Sequence, residues 1–333
     1  MPGAGANGKL YVGVDFGGTK IYAGVFNEGL HCLGTVRIST KADRGPDGVI
    51  ERLARCIADA VDECDLELKQ VTGVGIGAPG AVDSEKGKVI VAPNLSWQDV
   101  PLKKELERHL GVPVFVENDC NQAMLGVYAV ELDSKPRFAL GIFIGTGIGG
   151  GIVLNGEFYT GANHTAGEIG HMVLQADNGP TCGCGNKGCF EALSSRTAIF
   201  RQIQDAVKEG QKTILTEMLG KDLEDMRSGD LRRAIRRGDK FVKKIVEDAA
   251  HYSGIAVANL MNIFNPEVVV LGGGIIEALE EQIMPIIKET ALERALKGTA
   301  ADVVIRSAKL ADDAGIVGGA VLARKLSKAA KAE

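Results

Sequence analysis

The stretch LYVGVDFGGTKIYAGVFNEG (Leu10–Gly29) has a counterpart further along the chain, ALGIFIGTGIGGGIVLNGEF (Ala139–Phe158). Each reads as an apolar strand, a glycine turn and a second apolar strand. A shift of 128 residues lays Gly13 on Gly141, Gly17 on Gly145, Val25 on Val153 and Asn27 on Asn155. This shared grammar predicts a duplicated plan. The segments after each opening alternate strand and helix patterns, which makes the chain α/β with two related halves.

A third strand is predicted near Cys32–Ser39. Ile50, Leu53, Ala54, Ile57, Ala58 and Val61 recur at helical spacing. VTGVGIGAPG (Val71–Gly80) reads as a strand ending in a glycine–proline turn. A helix near Leu102–Leu110 leads to the strand VPVFVEND (Val112–Asp119), and Asp119 stands where strand gives way to helix. Beyond Cys189 the pattern is helical to about Asn265. VVVLGGG (Val268–Gly274) reads as a buried strand closed by three glycines. A last strand, DVVIRSA, precedes the glycine-rich helix AGIVGGAVLARKL (Ala314–Leu326).

The 333 residues are 45% hydrophobic and 24% charged, enough apolar material for two cores. Net charge is −5, and the basic run RRAIRR (Arg232–Arg237) falls on a helical stretch, so it reads as a solvated face and nucleic acid is not expected as a partner. No apolar run reaches the roughly 18 residues of a membrane span. The opening MPGAGANGK lacks the apolar core of a signal peptide and reads as a loose leader. A cytoplasmic protein with no membrane partner is the expectation.

Three glycine turns follow strands: Gly17-Gly18-Thr19, Gly145-Thr146-Gly147 and Gly272-Gly273-Gly274. Backbone amides in such turns can converge on phosphate oxygens. Any one of them alone is more simply a hairpin, since glycine is the default residue for tight turns. None matches the P-loop pattern, and GTGIGG (Gly145–Gly150) runs into a strand where a dinucleotide site would need a helix. Asp15, at the tip of the first strand, suits a hard cation such as Mg²⁺. Asp119 suits proton acceptance in phosphoryl transfer, and equally a helix N-cap. Glu117 is expected to face outward or to pair structurally.

Three cysteines fall in C-x-C-x₄-C spacing at Cys182, Cys184 and Cys189, and His171 lies eleven residues upstream. Cys₃His is a known structural zinc set. A disulfide is disfavoured in a reducing compartment, and a redox pair would be expected to show C-x-x-C. Cys32, Cys56, Cys64 and Cys120 read as ordinary buried or half-buried thiols.

Taken together, DFGGTK (Asp15–Lys20), GTGIGGG (Gly145–Gly151), LGGGI (Leu271–Ile275), the run ending HTAGEIGHM (His164–Met172) and CGCGNKGCFE (Cys182–Glu191) resemble the motifs of the ROK family, which holds bacterial sugar kinases and related repressors. The resemblance spans about Tyr11–Leu326. It implies a two-lobed actin/hexokinase-like ATPase fold with duplicated βββαβα-type domains and an inter-lobe cleft. Residues 1–118, joined by a helix at about 314–330, would form the smaller lobe. Residues 119–313 would form the larger, with the zinc site and the helical region.

The resemblance further implies ATP- and Mg²⁺-dependent phosphorylation of a hexose at its 6-hydroxyl, with glucose first. Fructose, mannose and N-acetylhexosamines are the alternatives, and polyphosphate is a second possible donor. Asp119 would be the general base. Gly80, Asn94, Asn118, Asp119, Glu168, His171 and Glu191 would hold the sugar. Asp15, Gly17, Gly18, Thr19, Lys20, Gly145, Thr146, Gly147, Gly273 and Gly274 would hold the nucleotide and its metal. His171, Cys182, Cys184 and Cys189 would hold a structural Zn²⁺, which fixes the imidazole that meets the sugar. The resemblance also implies a homodimer or homotetramer. The repressors carry a DNA-binding domain before the first phosphate motif; only ten residues precede Tyr11 here, so an enzyme is expected over a sugar-sensing regulator.

Overall fold

The computed structural model describes residues 8–220 and 222–329. Most of the expected leader lies outside the described residues, as does residue 330 at the end of the expected C-terminal helix. The described residues divide into two compact units, one within 8–135, 159–166 and 312–329, the other within 136–158 and 167–311. The division falls after Lys135, and not at the 118/119 boundary expected from the sequence. The reason is packing: the helix that starts at Asp119 lies against the C-terminal helix and strand Val71–Ala78 of the first unit.

In the first unit, strands β1 (Leu10–Phe16), β2 (Lys20–Phe26), β3 (Cys32–Ser39), β4 (Val71–Ala78) and β8 (Val114–Asn118) form a sheet ordered β3-β2-β1-β4-β8. The β1–β2–β3 pairs are antiparallel, and β1–β4 and β4–β8 are parallel. Between β4 and β8 lies a small antiparallel sheet of β5 (Ala81–Asp83), β6 (Lys88–Ala92) and β7 (Trp97–Val100). The sequence pattern did not announce it, because strands of three to five residues are too short to show a period.

Helix α1 (Gly45–Asp62) starts with Pro46 in its first turn, where a missing N–H costs no hydrogen bond. Its apolar stripe Val49, Ile50, Leu53, Cys56, Ile57, Ala60 and Val61 is buried against Val12, Val14 and Phe16. Helix α2 (Leu102–Leu110) adds Leu102, Leu106 and Leu110 to that core. The other face of the sheet carries α3 (Asp119–Gly126), continued by a π-helical turn (Val127–Glu131), and the C-terminal helix (Ala314–Ala329). There the strands present glycines. A Cβ on Gly13 would lie 1.7 Å from the Ile316 carbonyl oxygen, and one on Gly75 would lie 2.0 Å from that of Gly319. Helix and sheet therefore touch backbone to backbone, which fixes their spacing.

The second unit repeats the plan. Strands β9 (Phe138–Ile144), β10 (Ile148–Leu154), β11 (Glu157–Phe158), β12 (Val268–Gly272) and β13 (Val304–Ser307) run in the order β11-β10-β9-β12-β13. Helices α4 (Phe190–Ser194), α5 (Arg196–Lys208), α6 (Ile214–Leu219), α7 (Ser228–Arg236), α8 (Lys240–Phe264), α9 (Gly274–Arg294) and α10 (Lys297–Ala300) complete it. α8 and α9 carry much of its core, from Val242 to Met261 and from Ile275 to Ala291. At the end of the basic run, Arg236 pairs with Glu281 and Arg237, just past α7, with Glu217, each at 3.2 Å.

The duplication is real, but the constant 128-residue shift is not. Tyr11 pairs with Phe26, whereas Ala139, 128 residues on, pairs with Val153, only 127 residues beyond Phe26. The second hairpin turn is one residue shorter. Val25/Val153 and Asn27/Asn155 are thus coincidences out of register, since a one-residue slip moves a side chain to the other face.

Candidate active site and metal centre

In the first unit, β1 delivers Asp15 to the start of the turn Gly17–Lys20, which closes with a hydrogen bond from Gly17 N–H to the Lys20 carbonyl at 2.9 Å. Burial raises the Asp15 carboxyl above its ordinary value, Lys20 works against that shift, and Asp312 adds to it. Lys20 Nζ lies 3.2 Å from Asp312 Oδ1, and Arg37 lies 3.1 Å from Asp312 Oδ2. Arg37 also stacks over the Tyr22 ring, whose hydroxyl donates to Asp313 at 2.9 Å. Sequence reasoning named Lys20 but missed Arg37 and Asp312; strand pairing and chain return, invisible locally, bring them together. Gly18 packs beside Asn94, which sits exposed on the short turn Pro93–Leu95.

β8 ends at Asn118 and α3 begins at Asp119. Asn118, not Asp119, is the N-cap: its Oδ1 accepts from the N–H groups of Cys120 at 2.9 Å and Asn121 at 3.1 Å. Its Nδ2 donates to the Gly80 carbonyl at 3.0 Å, so Asn118 and Gly80 are held by each other. Asp119 occupies the first helical position, half-buried, with Oδ1 accepting from Cys120 N–H at 2.8 Å. Glu117 pairs structurally, taking hydrogen bonds from Ser84 at 3.0 Å and Asn121 at 3.2 Å.

In the second unit, the turn Gly145-Thr146-Gly147 and the motif Gly273-Gly274 are neighbours: Gly273, at positive φ, lies so close that a Cβ would stand 2.6 Å from the Ile144 carbonyl oxygen. Gly274 opens α9. Behind the hairpin turn stands Glu191 in the first turn of α4. Its Oε2 accepts from Ile148 N–H at 2.8 Å, and a Cβ on Gly147 would lie 2.4 Å from it. Arg196 donates to the Thr146 hydroxyl, and Thr197 Oγ1 donates to the Thr146 carbonyl at 2.8 Å.

Arg196 was absent from the sequence-derived set. A cation in the first turn of a helix opposes the helix dipole, and that misfit was the available signal. Arg196, Arg201 and Arg227, with Thr197, Phe200, Gln204 and Met226, line a groove of about 450 Å³.

The thiol turn is built by short pairings. Cys182 N–H bonds to the Asn186 carbonyl at 2.8 Å, and Leu174 N–H to that of Gly188 at 2.9 Å. These fold Cys182–Cys189 back on itself and bring it beside the turn Ile169–His171. One ligand atom from each of His171, Cys182, Cys184 and Cys189 lies within 4.8 Å of the others. All seven cysteines are free thiols; Cys56 is buried and Cys64 and Cys120 half-buried as expected, whereas Cys32, at the start of edge strand β3, is exposed.

Cys184 and Cys189 Sγ are 3.8 Å apart, far beyond a disulfide, and Cys182 Sγ is 3.7 Å from His171 Nδ1. A tetrahedron with metal–sulfur bonds of about 2.3 Å has edges of about 3.8 Å, so the donor set fits zinc in kind and spacing. His171 turns its other nitrogen, Nε2, towards Glu168 Oε2 at 3.9 Å. Partial burial raises the Glu168 carboxyl above its ordinary value; His171 opposes that shift and Glu191 reinforces it. Glu191 Oε1 lies 3.7 Å from Cys182 Sγ, which ties the thiol turn to the hairpin.

The structure thus gathers Glu168, His171, Glu191, the three cysteines and the Gly145–Gly147 turn in one unit, and Asp15, the Gly17–Lys20 turn, Asn94, Gly80, Asn118 and Asp119 in the other. Among the described residues, no helix is long and apolar enough to cross a membrane.

The family model described as the ROK family matches residues 11–326. A glucokinase of Halalkalibacterium halodurans is 35% identical over 318 residues, covering 95% of this chain and 96% of that protein. A glucokinase of Thermotoga maritima is 35% identical over 315 residues, covering 94% and 97%. Among solved structures, a ROK family glucokinase from Streptomyces griseus in complex with glucose and AMPPNP aligns with a TM-score of 0.84 at 32% identity, over 95% of this chain and 99% of that one. The mixed α/β plan with its duplicated sheets is the actin/hexokinase-like fold of these enzymes. With motifs, fold and near-full-length similarity in agreement, the chain belongs to the ROK family.

Proposed function

We infer that the chain is a hexose kinase that transfers the terminal phosphoryl group of ATP to the 6-hydroxyl of glucose. The near-full-length similarity to glucokinases carries this reading, and the head of α3 supplies its chemistry. Asn118 takes the capping role, and Asp119, at the first helical position, would act as the base. The sugar oxygen attacks phosphorus, the bond to ADP breaks, and the hydroxyl proton passes to the Asp119 carboxylate. Asp15 would hold Mg²⁺ through its waters. Gly17, Gly18, Thr19, Lys20, Gly145, Thr146 and Gly147 would face the phosphates, with Arg196 beside Thr146 as a further cation. Gly273 and Gly274 would border the adenosine.

Zinc is the ion that suits His171, Cys182, Cys184 and Cys189; bound there, it fixes the imidazole's orientation and tautomer. His171 Nε2, Glu168 and Glu191 of the second unit, and Gly80, Asn94 and Asn118 of the first, would be the groups that hold the sugar. Steady-state kinetics of ADP formation with glucose, fructose, mannose and N-acetylhexosamines, each with ATP or polyphosphate, tests the reading. Glucose with ATP should give the highest kcat/KM. Turnover with none of these sugars would refute it.

A further inference from the structure

Gln122 is fully buried, although an amide side chain gains nothing from burial without partners. It lies one helical turn beyond Asp119 on the same face of α3. Its Nε2 donates to two backbone carbonyls at once, Val14 at 2.8 Å and Gly315 at 2.8 Å, while its Oε1 has no hydrogen-bond partner. The two bonds use both amide hydrogens and fix which way the amide faces. Val14 is the residue before Asp15. Gly315 packs directly on Asp15, where a Cβ would stand 2.8 Å from the Asp15 Cβ. Gly77 on β4 leaves room for both partners: a Cβ there would lie 2.9 Å from Gln122 Nε2 and 3.1 Å from Asp119 Cα. One buried amide thus joins the helix of Asp119, the strand of Asp15 and the start of the C-terminal helix.

We propose that Gln122 is a positioning residue for phosphoryl transfer, a strut that sets the Asp119 carboxylate against the Asp15 carboxylate. The inference rests on the roles given to those two acids above. It concerns geometry within one unit, so its loss should reach the chemical step more than the binding of either substrate.

The test compares kcat, KM and Tm of wild type, Gln122→Met, Gln122→Glu and a control, Ile57→Val, which trims a buried methyl group on α1 against the opposite face of the sheet. Gln122→Met keeps the volume and removes both hydrogen bonds. It should lower kcat by about 10–100-fold, the scale of a sub-ångström to 1 Å misplacement, with both KM values within about threefold of wild type. Gln122→Glu, when neutral, can donate to only one of the two carbonyls, so its kcat should fall between wild type and Gln122→Met. It should drop further as rising pH ionises the acid against two carbonyl oxygens, a limb that wild type lacks. The glutamate variant keeps the test decisive if the methionine variant does not fold. Wild-type kcat in Gln122→Met, or losses no larger than those of Ile57→Val at matched Tm, would overturn the proposal. A fully active Asp119→Asn would instead remove the base assignment, so the two failures are read apart.

Discussion

The two glycine hairpins have one topology and different chemistry. In β1, the residue two before the turn is Asp15, paired across the sheet with Gly77 of β4. At the matching place in β9 stands Phe143, paired with Gly272 of β12. The first turn ends in Lys20, held in an ion-pair network with Asp312 and Arg37. The second ends in Gly147, which must stay small because Glu191 fills the space behind it. Through Glu191 the second hairpin is keyed to the thiol turn; through Gly315 and Gln122 the first is keyed to the helix of Asp119. Duplication supplied the scaffold, and what each copy is tied to gives it its work. In the proposed division of labour, the first unit carries the acids of the reaction and the second holds the sugar through a metal-braced histidine.

Substitutions in the two halves should therefore fail in different ways. Asp119→Asn should fold and bind glucose while kcat falls by about 10²–10⁴, the usual worth of a general base; single-turnover kinetics would expose a near-normal chemical step if the base lies elsewhere. Cys184→Ser, in the other unit, should raise the KM for glucose by about 10–100-fold, as loss of a group supporting a metal site does, with the smaller change in kcat. Gly147→Ala should push Glu191 off Ile148 N–H and cost about 1–3 kcal/mol in a denaturant melt. Gly17→Ala, where the added Cβ meets only the Lys20 carbonyl at 3.4 Å, should stay within about 0.5 kcal/mol of wild type. Equal costs at the two glycines would erase the contrast between the hairpins.

A further contrast concerns Asp15. Its carboxyl is raised by burial, so folding favours the protonated acid. That contribution is fully present below the ordinary carboxylate value and is lost as pH climbs through the raised one. Asp15→Asn removes the loss. Its Tm at neutral pH should exceed that of wild type, by about 2–4 °C for each kcal/mol released in a chain of a few hundred residues, while turnover with Mg²⁺ and ATP falls. A Tm–pH profile parallel to wild type would show that Asp15 is not held at a cost. Trp97, the single tryptophan, is buried with its ring 5.3 Å from that of Phe16 and reports on this unit by fluorescence.

Strand period, the duplicated openings and the C-x-C-x₄-C spacing made the α/β plan and the clustering of His171 with the three cysteines readable in the sequence. All of these signals are local. What escaped depends on distant parts meeting. The unit boundary moved because α3 packs on a helix nearly two hundred residues later. Asn118 took the cap that the sequence allowed equally to Asp119, since both side chains are short and polar, and only the backbone angle at the strand end decides between them. Gln122 reads as an ordinary helical residue until Val14 and Gly315 are seen on either side of its amide.

The division of labour is tested most directly by metal analysis of the purified protein combined with calorimetric titration of glucose before and after zinc removal. The account predicts one zinc per chain, glucose affinity at least about tenfold weaker in the stripped protein, and recovery when zinc is restored. A chain purified without zinc, or an affinity unchanged by its removal, would contradict it.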